Sequence, residues 1–384
     1  MFIDWLRISQ TFPHDLPTVC DVYSLTIDAN THEILSTKQP RFQHRGSHSS
    51  SISISIQGRK LTVDGNPSRI DRLDNLFGFE TIQQCIDVYN ALLAPYGLPA
   101  FTRCTQVQQR QSQDARGTWD ESLVSDGVCI ERMDLTTNVI LGKGNVLAFL
   151  RGVSTQSIGH SVGFLYPNGR TVAWTPEGNG EGGRLQYRKA YDKAFEMSTP
   201  KGVIRKIKRL YGDTSPEYAY VNRVRDFCEA NGVVRFEQEL KSEFLQRKGL
   251  RFWGLFDEKQ LQPLHDEFLA IDQRLKVTAM DLVTIAEQLV IEKVVTSTYA
   301  ANVTAMYAIN WANGQTFDLS KSQVKNHRAR LRQIGIDIGK PFDGTRSATV
   351  IVREAREVTK SFDLAPPSWY QRPVAPSHLR LVAA

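Results

Sequence analysis

The sequence predicts an α+β fold, a mostly antiparallel sheet carrying helices, followed by a helical domain. Three observations carry this. The stretch "SSSISISIQGRKLTVDG" alternates apolar and polar residues with period two. The middle of the chain mixes strand-like runs, helical runs and hairpin turns, the pattern of an antiparallel sheet with helices on it. After about Asp257 only helical spacing remains.

Taken in order, Ile52, Ile54 and Ile56 share one strand face, and Gly58 turns the chain into a return strand. From Glu80, the residues Ile82, Cys85, Ile86, Tyr89, Leu92 and Leu93 recur at helical spacing until Pro95 and Gly97 stop the run. Residues 106–125 are polar, Gln-rich and without period, which predicts an exposed loop. Beyond them "GVCIERMDLTTNV" reads as a strand, "NVLAFLRGV" as a short helix and "SVGFLYPNGRTVAW" as a hairpin turning at Asn168-Gly169. A helix near residues 215–230 and the strand "GVVRFEQELK" follow. The expected organisation is a catalytic domain over residues 1–256, a helical domain over 257–350 and an extended proline-rich tail over 351–384.

The chain has 384 residues with 47 basic against 41 acidic side chains, a net charge of +6. That modest excess is compatible with a polyanionic partner and with ordinary enzymes alike. Five cysteines, Cys20, Cys85, Cys104, Cys129 and Cys228, form no Cys-x-x-Cys pair and read as reduced thiols. The absence of a long uncharged apolar run predicts a protein that neither spans a membrane nor is exported.

Period two also distributes the chemistry. "IERMDLTTN" sets Arg132, Asp134, Thr136 and Asn138 on one face, with Met133, Leu135 and Val139 toward the core. "VVRFEQELK" sets Arg235, Glu237 and Glu239 opposite Val234, Phe236 and Leu240. In "RLQYRKAYDKAFEM", read as a strand, Tyr191 and Lys193 share a face. These are the parts for metal-assisted transesterification of a phosphodiester. Asp134 with Glu237 supplies hard oxygen ligands for Mg2+ or Mn2+. A free phenol, with a pKa of about 10, is a poor nucleophile, so Tyr191 needs the cation and Lys193 to favour its phenolate. Arg132 or Arg235 would neutralise the pentacoordinate transition state. The competing reading makes Arg132/Asp134 and Arg235/Glu237 solvated ion pairs and Tyr191 an amphipathic packing residue.

Other signals are weaker. His44 and His48 in "FQHRGSHSS" read as a polar loop, and "GKG" at residues 142–144 as a turn. The segments "NVTAMYAINWANG" and "KSQVKNHRARLRQIG", joined by "QTFDLS", form a helix, turn and helix. Lys321, Lys325, Arg328, Arg330 and Arg332 on the second are candidates for DNA contact, against the alternative of a solvated basic face. "KGVIRKIKRL" at residues 201–210 is open to the same two readings.

An ordered set of stretches resembles the replication initiators of filamentous phages, the gene II/X family. It comprises "MFIDWLRIS", "GNPSRIDRLDNLFGFETIQQCIDVYN", "IERMDLTTNV", "KAYDKAFE", "VVRFEQELKSEFLQRKGLRFWGLFD", "HRARLRQIGIDI" and "SWYQRPV". The resemblance implies a rolling-circle initiator fold and a site-specific nicking and strand-joining enzyme. Such an enzyme cuts the plus-strand origin of duplex phage DNA, attaches through tyrosine to the 5′ phosphate, and later rejoins the displaced single strand.

Tyr191 then stands at the nucleophile's position, with Tyr187 as second choice. Many rolling-circle endonucleases use a His-apolar-His metal motif that is absent here. The resemblance therefore implies carboxylate ligation by Asp134 on its Arg-x-Asp strand, with Glu237 and Glu196 as companions. It also implies work in the bacterial host cytoplasm, with host helicase and polymerase as partners. Rival readings are a non-catalytic origin-binding regulator, and a relaxase or transposase using the same chemistry.

Overall fold

The computed structural model describes residues 1–384 apart from 20–21, 39, 47, 49, 114–118, 273–280, 343–359 and 377–384. The strands are β1 Phe2–Thr11, β2 Ser24–Ile27, β3 Ile34–Lys38, β4 Phe42–Arg45, β5 Ser51–Gln57, β6 Lys60–Gly65, β7 Val107–Gln113, β8 Trp119–Ser125, β9 Cys129–Ile140, β10 Ser157–Ile158, β11 Ser161–Leu165, β12 Thr171–Thr175, β13 Gln186–Asp192 and β14 Val233–Lys241. The helices are α1 Ile82–Leu93, α2 Val146–Val153, α3 Lys193–Ser198, α4 Val203–Tyr211, α5 Pro216–Asn231, α6 Ser242–Arg247, α7 Leu261–Leu269, α8 Asp281–Ile291, α9 Thr298–Ala312 and α10 Ser322–Gln333.

Ten strands make one sheet in the order β10-β11-β12-β13-β14-β9-β1-β6-β5-β4. The pairings that the register describes are antiparallel. The expected mixture of helices and antiparallel sheet is therefore present.

One face of the sheet is mostly apolar, with Thr137, Arg188 and Gln238 among its buried residues. Ile3, Leu6, Ile8, Ile52, Ile54, Met133, Leu135 and Leu240 pack against α1, whose Ile82, Cys85, Ile86, Tyr89 and Leu93 are buried. A capping box between Thr81 and Gln84 starts α1, and Gly97, at φ 65, ends the turn that follows it. The hydroxyl of the buried Tyr89 donates to the carbonyls of Leu6 (2.7 Å) and Gly65 (2.9 Å), pinning α1 to the sheet. The other half of this face, with Val139, Val172, Ala190, Val234 and Phe236, is covered by α2 and by Phe268 and Leu269 of α7. Although α7 follows Asp257, it packs on the sheet.

Two expectations change. The expected loop over residues 106–125 holds two strands on either side of residues 114–118, which lie outside the described residues: β7 and β8 pair as a two-stranded ribbon, as do β2 and β3. Backbone ladder bonds need no apolar period, so a polar ribbon leaves no pattern in the sequence. The tail is not simply extended either. Its start at residue 351 lies outside the described residues, but residues 360–376 fold back: Ser361 bridges to Ile140, and Leu364 and Tyr370 are buried.

On the other face, α3, α4 and α5 bury Ala194, Met197, Ile204, Ile207, Val221 and Val224 together with Leu73, Leu76 and Val233. Helices α8, α9 and α10 share a separate apolar cluster that includes Leu289, Ala305, Ile309, Val324 and Leu331. Cys85, Cys104, Cys129 and Cys228 are free thiols, and Cys20 lies outside the described residues. Among the described residues no helix is long and apolar enough to cross a membrane.

Candidate active site

Side chains alternate across a strand, so antiparallel pairing in register brings three polar faces onto one surface. Across β13, β14 and β9, Tyr191 stands beside Arg235, and Arg235 beside Asn138. In the next row Lys189 stands beside Glu237, and Glu237 beside Thr136. In the third, Tyr187 stands beside Glu239, and Glu239 beside Asp134. Strand β1 adds a register shift between Ile3 and Trp5. This bulge turns Asp4 and Trp5 to the same side, where Asp4 lies 3.7 Å from Arg235 and Arg132 stacks over the Trp5 ring at 5.4 Å.

Each charge here has a partner. The Tyr191 hydroxyl donates to Glu237 Oε2 at 2.9 Å, and Lys189 Nζ holds Oε1 at 2.6 Å. The Lys189 ammonium lies 5.8 Å from the centre of the Tyr191 ring and 6.0 Å from that of Tyr187. Arg132 grips Asp134 with two hydrogen bonds, 2.8 and 2.7 Å, and reaches Glu239 at 3.2 Å. Arg235, with no exposed side-chain surface, donates to Asn138 Oδ1 (3.0 Å) and to the carbonyls of Asn75 (2.6 Å) and Leu76 (2.9 Å). Lys193 Nζ bonds Glu196 at 2.7 Å and Asn75 Oδ1 at 3.0 Å.

The electrostatics follow from crowding ionised groups away from water. Burial, reinforced by Glu237 and Glu239, pushes the Asp134 carboxyl up to about 7 in spite of its bonds to Arg132. Burial also acts to raise Glu237, but Lys189, Arg235 and the Tyr191 hydroxyl hold it below the usual carboxylate range. Burial and then the charge of Glu237 raise the Tyr191 phenol well above its ordinary value, with Arg235 opposing. The resting hydroxyl is therefore protonated and needs a proton acceptor, and Glu237 is in hydrogen-bond contact with it.

The structure thus brings Tyr191, Glu237, Asp134, Arg132 and Arg235 onto one surface. Lys193 arrives by another route: β13 ends at Asp192, and Lys193 opens α3, capped by the Asp192 side chain. It is nearly buried beneath the site and does not share the strand face of Tyr191. Glu196 is tied to Lys193. Fully buried, Arg235 props the site from below: its Nε and Nη2 are bonded to Asn138, Asn75 and Leu76, and its Nη1, without a hydrogen-bond partner, lies 3.7 Å from Asp4, whereas Arg132 is one-third exposed.

Tyr187 faces another environment, its hydroxyl donating to the Gly180 carbonyl (3.0 Å) beside Tyr166. His44 and His48 bond separately to Tyr96 and Tyr211. At the N-cap of α10 and along it, Lys321, Lys325 and Arg332 are exposed, Arg328 is paired with Asp337 at 2.6 Å, and Arg330 lies half-buried against Thr304 at 3.5 Å.

Sequence reasoning missed Lys189, Asp4 and Asn75. For Lys189 the signal was available, since it alternates with Tyr187 and Tyr191. Asp4 needed the bulge, and Asn75 sits in an irregular segment with no pattern to read.

Among the described residues no group of three or more His, Cys, Asp or Glu is placed to enclose a metal ion. Asp134 and Glu237 nevertheless fit a hard divalent cation in donor type. Burial first, and then the charges of Glu237 and Glu239, raise the Asp134 carboxyl, and a bound cation would favour its ionised form. Such ions often take only one or two carboxylates and complete their shell with substrate phosphate oxygens. Glu196 is ion-paired with Lys193, as Glu237 is with Lys189.

Comparison with known proteins matches residues 1–259 to the family of the N-terminal part of the phage replication-associated protein, and residues 289–376 to the family of its C-terminal part. The chain is 46% identical over 331 residues to the replication-associated protein of Escherichia phage If1, an alignment spanning 86% of this chain and 99% of the phage protein. No solved structure matches.

Proposed function

The chain belongs to the family of phage replication-associated proteins, and from that premise we propose that it opens and closes rounds of phage DNA replication by nicking and rejoining one strand at the origin. The observation that carries this is the contact between Tyr191 and Glu237, with Lys189 on the far carboxylate oxygen. A phenol in hydrogen-bond contact with a base, among cations, is the constellation of an activated nucleophile.

In the proposed reaction the Tyr191 oxygen attacks the scissile phosphorus as its proton passes to Glu237. A P–Oη bond forms and the P–O3′ bond breaks, so the 5′ phosphate stays on tyrosine and the departing 3′ oxygen takes up a proton. Lys189, one-third exposed, and Arg132 are the cations able to face the phosphate oxygens. Asp134 with Glu237 would hold Mg2+ or Mn2+, which when bound supplies charge to the non-bridging oxygens. Reversal, by attack of a 3′ hydroxyl on the phosphotyrosine, rejoins the strand and needs no ATP, because one phosphodiester replaces another.

The partners in this proposal are the duplex origin and the displaced single strand, with host helicase and polymerase extending the freed 3′ end. The exposed cations of α10 would add backbone contacts. The test is to incubate the protein and Mg2+ with an oligonucleotide spanning the plus-strand origin of its own genome and to map the adduct by mass spectrometry. A 5′-phosphotyrosine at Tyr191 is the expected product. Free 5′ phosphate with no adduct would instead mean a hydrolytic nuclease.

A further inference from the structure

Building on the proposed nicking reaction, we infer that Trp369 and Tyr370, near the C-terminal end of the chain, are positioning residues of the nicking site, latching the segment that carries Asn75. The contacts begin at Tyr370, which is buried although it lies 296 residues from its partner Asp74. Its hydroxyl donates to Asp74 Oδ1 at 2.6 Å and accepts from Arg72 Nη2 (2.6 Å) and the Phe77 amide (3.0 Å).

Arg72 also donates to the carbonyls of Gln371 (2.8 Å), Ser68 (2.9 Å) and Phe77 (3.0 Å). Asp74 receives the Leu76 amide at 2.8 Å and the Tyr220 hydroxyl at 3.0 Å. Trp369 lies beneath the Arg223 guanidinium at 4.3 Å and edge-on to Tyr220 and Phe227 of α5. An irregular segment, residues 72–77, is thereby held by the tail on one side and α5 on the other.

On its inner side that segment does the work of a template. Asn75 Nδ2 donates to both Asp4 oxygens (3.0 and 3.1 Å), Asn75 Oδ1 receives Lys193, and the Asn75 and Leu76 carbonyls receive Arg235. Leu76 O also accepts from Asn138 Nδ2 at 2.6 Å. Arg235 is the strand neighbour of Tyr191. The tail therefore reaches the nucleophile through Tyr370, Asp74, Asn75 and Arg235. Such a chain sets where charges stand without touching DNA, and misplacement by about 1 Å far from the chemistry costs on the order of a hundredfold in rate. It also means that the tail serves the sheet's active site, although α8, α9 and α10 lie between them in sequence.

Full-length Tyr370→Phe keeps the ring and removes only the hydroxyl. With a saturating single-stranded origin oligonucleotide and Mg2+, the single-turnover cleavage rate is expected to fall on the order of tenfold or more, while anisotropy gives a dissociation constant within about twofold of wild type. Asp74→Asn should match it, and the double variant should be no slower than either alone, because the two groups act as one contact. If Tyr370→Phe does not fold, Asp74→Asn carries the test. Wild-type cleavage in a folded variant, with only the melting temperature lowered, overturns the inference and leaves the tail a stabilising strap. Absence of any covalent adduct with the wild-type protein is a different failure, since it overturns the nicking reaction itself.

Discussion

Tyr191 and Glu237, 46 residues apart in sequence, meet across two neighbouring strands through a 2.9 Å hydrogen bond, and the lysine two residues before the tyrosine holds the same carboxylate. Phenol, carboxylate and ammonium are thus one cross-strand unit, and its members can be removed singly.

Tyr191→Phe removes the donor and leaves the ring. Covalent attachment to a labelled origin oligonucleotide is expected to vanish while duplex binding stays within about twofold, a change of roughly 0.4 kcal/mol. Gel detection of the adduct checks this, and loss on Tyr187→Phe instead would move the nucleophile to the residue beside Tyr166.

Lys189→Met leaves Glu237 buried without its cation. Denaturant unfolding should show a loss of up to about 3 kcal/mol, the cost of breaking a mostly buried pair by removing one partner. Adding Glu237→Gln should restore much of that stability but not cleavage. A double variant as unstable as Lys189→Met would mean that the lysine serves packing rather than the pair.

Asp134→Asn keeps the size but removes the charge and one of the two acceptors that Arg132 uses. Cleavage should fall sharply and demand more Mg2+, whereas DNA binding in EDTA persists. Chelation of the wild-type protein should have the same selective effect. Cleavage unchanged in a Mg2+ titration would reduce Asp134 to an ion-pair residue.

On α10 the exposed cations, not the paired Arg328, are the ones free to meet phosphates. Lys321, Lys325 and Arg332 changed together to Ala should reduce the salt slope of duplex-origin binding by up to about 3, one per lost phosphate contact. Cleavage of a short single strand should survive. An unaltered slope across a salt series would make this a solvated face.

His265 reports on the packing of α7. Burial, with the N-terminal ammonium and Arg188 adding to it, pushes the imidazole down to about 3, and its Nδ1 lies 3.0 Å from Gln238 Oε1. The folded value lies below the unfolded one of about 6.5. Stability from this group is therefore complete above 6.5 and is lost as pH falls toward 3, at about 1.4 kcal/mol per unit. Between pH 7 and 5, His265→Gln should remove about 2 kcal/mol of the wild-type decline in chemical denaturation.

Much of the site was legible from residue order. Period two placed Asp134 with Arg132, Glu237 with Arg235, and both strands' apolar residues on the opposite side, because the pleat alternates side chains whatever the rest of the chain does. The helix over residues 82–93 and the hairpin at Gly58 were equally local, since caps, apolar spacing and a turn glycine act within a few residues. The end of β13 at Asp192 was less plain: the aspartate caps α3 one residue before Lys193, and period two carried through that break sends the lysine to the wrong element.

Tertiary structure decided the remainder. Only strand order sets Tyr187, Lys189 and Tyr191 against Glu237 and Glu239 and makes Lys189 the partner of the buried carboxylate. Only the bulge in β1 brings Asp4 toward Arg235, and only the returning tail puts Tyr370 on Asp74. Local pattern reports what a residue does to its own backbone and which side it faces. Burial of unlike charges next to one another depends on which segments, distant in sequence, are close enough to exclude water between them, and that proximity is a property of the packed chain alone.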